Sequence, residues 1–243
     1  MMTIFHLRED DCLLESSERE VVDCSANKTH CLLQFIKLVR QPLPVKGTNF
    51  LAHDLIIRPA TPSDAEFMAP LINRASEGLS QATWAYLAQE GQSPLDVGLA
   101  RIRGTDSWIS WQNGWIAEAN KVCAGVLVTY LHGEAMPGPD AETPPGFAPL
   151  LELEAIAPSS RYLLIVSTMA EFQGKGVGTA LLAHAETMDG PGRLSLIVSD
   201  SNHHAAKLYE RVGYRAVARR PIVCIPGWSS SGTDWVLMIK DVA

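Results

Sequence analysis

The sequence predicts an α/β protein, because apolar strands and helices follow one another along its second half. Residues 162–168 form an apolar run typical of a buried strand, and residues 179–188 have a helical pattern. A second strand and a second helix are predicted at residues 194–198 and 202–212. A glycine-rich turn, residues 173–178, joins the first strand to the first helix. This order of strand, turn and helix is also the most informative feature for function.

The glycine-rich turn has the composition of an anion-binding site. It consists of Gln173, Gly174, Lys175, Gly176, Val177 and Gly178, and it leads into Thr179. Glycines let the backbone turn sharply and approach a ligand closely, because no Cβ stands in the way. The first amides of the following helix lack intrahelical partners and carry the positive end of the macrodipole. We therefore expect the turn to bind a diphosphate; the structural alternative is a tight turn without a ligand.

The spacing of the glycines excludes two common nucleotide-binding motifs. A P-loop needs Gly-Lys followed by Ser or Thr, whereas Lys175 is followed by Gly176. The dinucleotide motif needs the spacing G-x-G-x-x-G in a first βαβ unit. Here the glycines alternate as G-x-G-x-G, late in the chain.

Two motifs together resemble the GNAT superfamily of N-acetyltransferases. The acyl-CoA-binding pattern Gln/Arg-x-x-Gly-x-Gly/Ala is filled by Gln173, Gly176 and Gly178. Residues 202–214 are similar to the superfamily's helix N-x-x-A-x-x-L-Y-x-x-x-G-Y/F. A predicted strand at 194–198 separates the two, as it does in the family.

The resemblance covers residues 55–240 and implies a fold and a donor site. The expected fold is a mixed, mostly antiparallel central sheet flanked by helices, whose two central strands splay apart to admit pantetheine. It implies that acetyl-CoA is the acyl donor and that the backbone amides of residues 173–179 bind its pyrophosphate. It also implies that backbone groups of Val166 and Thr168 pair with pantetheine and polarise the thioester carbonyl.

The second motif supplies the candidate general acid. Tyr209 matches the family tyrosine that protonates the departing thiolate, and a phenol suits that task because the two groups have similar basicity. Asn202 lies seven residues earlier, so both side chains occupy one helix face, where Asn202 would cap the helix or bind the ligand. The alternative for Tyr209 is an aromatic residue that only packs.

The general base is not specified by either motif. Glu152 and Glu154 precede the central strand and are the first candidates, with Glu118 and Glu134 as further ones. Two residues apart on a predicted helix, Glu152 and Glu154 cannot share a face. Each could equally be a solvated surface carboxylate.

The expected reaction is acetyl transfer from acetyl-CoA directly to a primary amine of a small molecule or peptide. A ping-pong route needs a nucleophile, and no cysteine falls in the matched motifs. The alternative is a non-catalytic acyl-CoA-binding or regulatory module on the same fold. Transfer of a longer acyl group is also left open.

Composition excludes several other classes. The net charge of −7 argues against a nucleic-acid partner, and no apolar run reaches membrane-spanning length. The first eight residues lack the pattern of a signal peptide. The five cysteines are scattered without a C-x-x-C pair, which favours reduced thiols in the cytoplasm and no metal site. The resemblance leaves a homodimer open.

The chain is expected to comprise an N-terminal extension, residues 1–52, and an acetyltransferase domain, residues 53–243. The extension includes a candidate helix at 29–39. In the domain, a hairpin is predicted at 114–130 with Asn120 and Lys121 as its turn, and a long loop at 133–149. Pro70 should kink or interrupt the first helix of the domain.

Overall fold

The computed structural model describes residues 55–242. These residues belong to one compact unit. The predicted extension at 1–52, its candidate helix and the boundary at 52/53 lie outside the described residues, and the division into domains stays a prediction.

A seven-stranded sheet forms the centre of this part of the chain. Its strands are β1 (Leu55–Pro59), β2 (Gly114–Ala119), β3 (Val122–Leu131), β4 (Arg161–Thr168), β5 (Arg193–Ser199), β6 (Arg215–Pro221) and β7 (Asp234–Asp241). The spatial order is β1-β2-β3-β4-β5-β7-β6. Every neighbouring pair is antiparallel except β4 and β5, which are parallel. The mixed, mostly antiparallel sheet that the resemblance implies is confirmed.

Six α-helices cover the two faces of the described sheet. They are α1 (Ala65–Ala75), α2 (Leu79–Leu87), α3 (Pro94–Arg103), α4 (Ala148–Glu154), α5 (Val177–Glu186) and α6 (His203–Arg211). Helices α5 and α6 pack on one face, where Leu181 and Leu182 are fully buried. Helices α1 and α3 pack on the other face through Met68, Ile72 and Ile102. Burial of these apolar side chains is the main force that holds the layers together.

The centre of the sheet is forked. Strand β4 pairs with β5 at two positions, Arg161 with Leu194 and Tyr162 with Ser195. Beyond them β4 stays paired with β3 as far as Thr168, while β5 stays paired with β7 as far as Ser199. The two strands therefore separate after Tyr162 and leave a crevice between them, as the resemblance implies.

Local sequence signals account for most of the connections. The predicted hairpin is present, and both Asn120 (φ 50°) and Lys121 (φ 64°) adopt the left-handed conformation of a type I′ turn. The long loop ends where α4 begins at Ala148. Helix α1 is not interrupted at Pro70, because that residue is exposed and solvent can hydrate the carbonyl that loses its partner.

Candidate active site

The glycine-rich turn adopts a geometry that needs glycine. Gly174 (φ 70°) and Gly176 (φ 86°) lie in the left-handed region, although space around both is open. Gly176 is the N-cap of α5, and its carbonyl accepts the helix bond from Ala180 N at 2.9 Å. The amides of residues 177–179 therefore precede the hydrogen-bonded ladder of α5, as an anion site requires. Residues 173–176 are exposed at the protein surface.

The turn lies at the open end of the crevice. A Cβ placed on Gly178 would lie 3.3 Å from Leu208 Cδ2 of α6 and 3.7 Å from Thr168 Oγ1 of β4. This close approach brings the N-terminus of α5 next to both walls of the fork. Lys175 Nζ lies 5.6 Å from the centroid of the Phe172 ring, so its charge stays beside the turn.

Beyond Tyr162, the backbone of β4 has no partner strand on the side that faces the crevice. Met169 N donates to Ala124 O of β3 at 2.9 Å. Since backbone groups alternate in direction along an antiparallel strand, those of Val166 and Thr168 face away from β3, towards the crevice. Arg74 of α1 supports this orientation, because its guanidinium donates to Thr168 O and to Ser167 Oγ at 3.3 Å. Sequence reasoning missed Arg74.

Tyr209 and Asn202 both lie on the wall that α6 forms. Tyr209 is 8% exposed, and burial raises its pKa to about 12, so the phenol stays protonated at neutral pH. Asn202 Oδ1 accepts a hydrogen bond from Ala205 N at 3.2 Å, which makes Asn202 the N-cap of α6. The predicted acid and the predicted cap are thus brought together at one site.

Between the diverging strands lies a cavity of about 70 Å³. Most of its lining side chains are apolar or neutral. The lining residues are Ala75, Glu77, Leu163, Leu164, Val166, Leu196, Ile197, Val198, Ser199, Asn202, Ala205, Tyr209 and Trp235. The cavity therefore reaches from β4 and β5 to the C-terminal end of α1.

The two candidate bases occupy different surroundings, and neither lines the cavity. Glu152 is half-exposed and forms an ion pair with Arg220 of β6, 2.5 Å from Oε2 to Nε. The Glu154 side chain is 13% exposed, and burial raises its pKa to about 7. Burial raises a carboxyl pKa because the charged form loses its hydration. The structure therefore separates a surface ion pair from a buried carboxyl that titrates near neutrality.

Glu154 connects to the closed end of the fork through two rings. Its Oε2 lies 3.8 Å from Nε2 of His132, whose Nδ1 lies 3.1 Å from Ala157 O. The imidazole stacks on the Tyr162 ring with centroids 4.8 Å apart. Burial lowers the pKa of His132 and raises that of Tyr162, and the Glu154 charge raises the Tyr162 pKa further. Tyr162 is the residue at which β4 and β5 part.

Glu77 is a second residue that sequence reasoning missed. It lines the cavity and has a left-handed backbone, with φ of 53°. Trp228 Nε1 donates to the Glu77 carbonyl at 2.9 Å, and Ser230 Oγ donates to Glu77 Oε2 at 3.4 Å. A Glu-Gly pair after a helix is an ordinary stop pattern, so the sequence carries no chemical signal for this position.

Residues 55–242 lack both a metal-binding cluster and a membrane-spanning helix. That part of the chain holds no group of three or more His, Cys, Asp or Glu side chains arranged to bind a metal ion. Nor does it contain a helix with both the length and the apolar character needed to cross a membrane.

Part of the chain matches a known protein family, and its fold matches solved structures. Residues 110–216 match the family model described as an acetyltransferase (GNAT) domain. An N-acetyltransferase from Staphylococcus aureus Mu50 shares the fold, with 19% identity, a TM-score of 0.51, and coverage of 76% of this chain and 100% of that one. A second solved acetyltransferase gives 21% identity, a TM-score of 0.53, and coverage of 77% and 100%. PH1933 from Pyrococcus horikoshii OT3 has 18% identity and a TM-score of 0.50, and the match covers 78% of this chain and 99% of that one.

At these identities the solved structures show a common fold, and no curated protein matches in sequence. The matched family segment contains both the glycine-rich turn and the Asn202–Tyr214 motif. It also contains the forked strands β4 and β5 that lie between and around them. Residues 110–216 therefore match a GNAT acetyltransferase domain, and the described chain has the fold of solved acetyltransferases.

Proposed function

We propose that the protein transfers an acetyl group from acetyl-CoA directly to a primary amine of a small molecule or peptide. The observation that carries the proposal is the position of Tyr209. Its protonated phenol lies in a crevice whose open end meets the glycine-rich turn. The cytoplasmic location that the scattered cysteines indicate belongs to the same proposal. We also propose that the partner is a small amine or a peptide rather than nucleic acid or membrane, and that the protein forms a homodimer.

The residues present fit the donor that the superfamily uses. The amides of residues 177–179, which precede the α5 ladder, and the Lys175 ammonium would hold the pyrophosphate, because they offer hydrogen-bond donors and positive charge. The backbone groups of Val166 and Thr168 that face the crevice would pair with pantetheine amides, as a neighbouring strand would. The bound donor supplies the activated acetyl thioester.

Two side chains would transfer the protons of the reaction, one to the departing thiolate and one from the amine. Tyr209 would donate to the departing thiolate, and its pKa of about 12 keeps it protonated before that step. Glu154 is the better of the two carboxylate candidates for accepting the amine proton, and it would do so through water because it does not line the cavity. Its pKa of about 7 matches what a base needs near neutral pH, whereas Glu152 is engaged with Arg220.

The test has a binding step and a turnover step. Calorimetric titration with acetyl-CoA, with NAD and ATP as controls, should show saturable binding of acetyl-CoA alone. Thiol release in the presence of primary amines should then be measured for the wild type and for Tyr209→Phe. We expect the variant to lose about 100-fold or more in kcat and to keep its affinity for acetyl-CoA.

Three results would contradict parts of this proposal. No binding of acetyl-CoA by folded protein would leave the glycine-rich turn as a structural turn. Binding without turnover on any amine would favour the non-catalytic acyl-CoA-binding module. Full turnover by Tyr209→Phe would remove the acid assignment and leave the rest intact.

A further inference from the structure

We propose that Glu77 selects the acceptor and that the acceptor enters the crevice as a primary ammonium ion, a cation. The inference rests on the proposed acetyl transfer and names the substrate class of the same site. It assigns to Glu77 a binding role that neither sequence motif contains.

Glu77 is the one charged residue among the described residues that line the crevice. Its neighbours there are apolar or neutral, including Tyr209 and Ser199. None of the ion pairs in residues 55–242 involves Glu77, so within that part of the chain no Lys, Arg or His nitrogen lies within 4.0 Å of its carboxylate oxygens. A carboxylate beside apolar walls attracts a cation more strongly than one in open water, because the local dielectric is lower.

The helix that precedes Glu77 adds to this preference. Helix α1 ends at Ala75, which also lines the crevice. The C-terminal end of a helix carries a partial negative charge, which favours a cation and disfavours an anion. The carboxylate and the helix end therefore act in the same direction at this side of the crevice.

The backbone of Glu77 is held in a left-handed turn, while its carboxylate accepts one long hydrogen bond. The left-handed backbone at Glu77 costs energy for a residue other than glycine, and it continues into Gly78 with φ of 91°. The loop between β6 and β7 holds this turn through Trp228, at the carbonyl, and Ser230, at the side chain. The hydrogen bond from Ser230 is long, 3.4 Å, so Oε2 keeps capacity for a better donor such as an ammonium group.

Charge-selective substitution separates recognition from structure. Glu77→Gln keeps the length of the side chain and removes its charge. Glu90→Gln makes the same change at an exposed turn between α2 and α3 and is the matched control. Both variants are compared with the wild type for unfolding temperature, acetyl-CoA affinity, and kcat and KM. The acceptors are butylamine, 1,4-diaminobutane, glucosamine and aniline at pH 7.5, with aniline as the neutral amine.

We expect the best acceptor to be an amine that is protonated at pH 7.5. Glu77→Gln should raise its KM about 10- to 100-fold, the loss typical of a hydrogen bond between charged groups, with kcat and acetyl-CoA affinity unchanged. Glu90→Gln should match the wild type, and both variants should unfold at the wild-type temperature.

Each other outcome overturns the inference in a recognisable way. Aniline as the best acceptor, or a KM that Glu77→Gln leaves unchanged, removes the recognition role. A fall in kcat without a change in KM makes Glu77 a proton-transfer group instead. If acetyl-CoA binds but no protonated amine is acetylated, the substrate class is wrong while donor binding stands. If acetyl-CoA does not bind, the proposed function itself has failed first.

Discussion

Glu154→Gln tests how strongly the protein holds a proton on a buried carboxyl. The side chain is 13% exposed, and burial raises its pKa from 4.5 to about 7. Between those two pH values the folded state keeps a proton that the unfolded state has released. Stability from this group therefore falls as pH rises through the window and is constant above it. This difference in pKa lowers the free energy of unfolding by about 3 kcal/mol above pH 7.

The glutamine variant keeps the shape of the side chain and cannot ionise. Its free energy of unfolding minus that of the wild type should rise from near zero at pH 4.5 to about 3 kcal/mol at pH 8. His132 acts in the opposite direction, because its lowered pKa makes the fold lose stability as pH falls below 6.5. That contribution is present in both proteins, so the difference between them isolates Glu154 to the extent that the two groups do not interact.

Urea unfolding followed by tryptophan fluorescence at pH 5, 6, 7 and 8 measures the difference. Glu152→Gln is the control, because that carboxylate is half-exposed. A difference that stays flat across pH would refute the reasoning about burial. A variant that is less stable than the wild type at pH 8 would show instead that the fold stabilises a charged Glu154, whose carboxylate lies 3.8 Å from His132.

Three further substitutions test packing and capping. Gly98→Ala should destabilise the folded state by about 1–3 kcal/mol, because the new Cβ would lie 2.6 Å from the buried Trp84 ring. This cost should exceed the gain from the better helix propensity of alanine. An unchanged melting temperature would contradict the tight packing of α2 on α3. Leu182→Ala should cost about 2–5 kcal/mol in urea unfolding since the side chain is fully buried, and a cost below 1 kcal/mol would mean that the core refills the space. Asn202→Ala should cost about 1 kcal/mol through the lost cap, and a weakened acetyl-CoA affinity in calorimetry would show that Asn202 also contacts the donor.

Local chemistry explains what the sequence could predict. The glycine-rich turn, helix α5 and the Asn120–Lys121 hairpin depend on neighbouring residues, and the structure shows each of them. A fork between the two central strands was expected from the family resemblance, and the structure shows it after Tyr162. How far Tyr209 and the glycine-rich turn carry out their assigned roles stays a prediction.

The missed residues depend on distant parts of the chain. Glu77 becomes a site residue because Trp228 holds its carbonyl from 151 positions away. Arg74 reaches Thr168 across 94 positions. The difference between Glu152 and Glu154 also depends on packing, since the same short helix places one against Arg220 and the other against His132. A pattern of neighbouring residues carries none of this information.

The fork has a consequence for the dynamics of β4 itself. Its amides alternate between a partner strand on one side and the crevice on the other, so the amide of Ser167 faces β3 while that of Val166 faces the crevice. Amide hydrogen exchange should therefore alternate along a single strand, slow at one residue and fast at the next. A ligand that fills the crevice would equalise the two rates and so act as the missing strand of the sheet. A ligand bound in the crevice would also link strands β1–β4 to strands β5, β7 and β6. The whole sheet would therefore be rigid only when the ligand is bound.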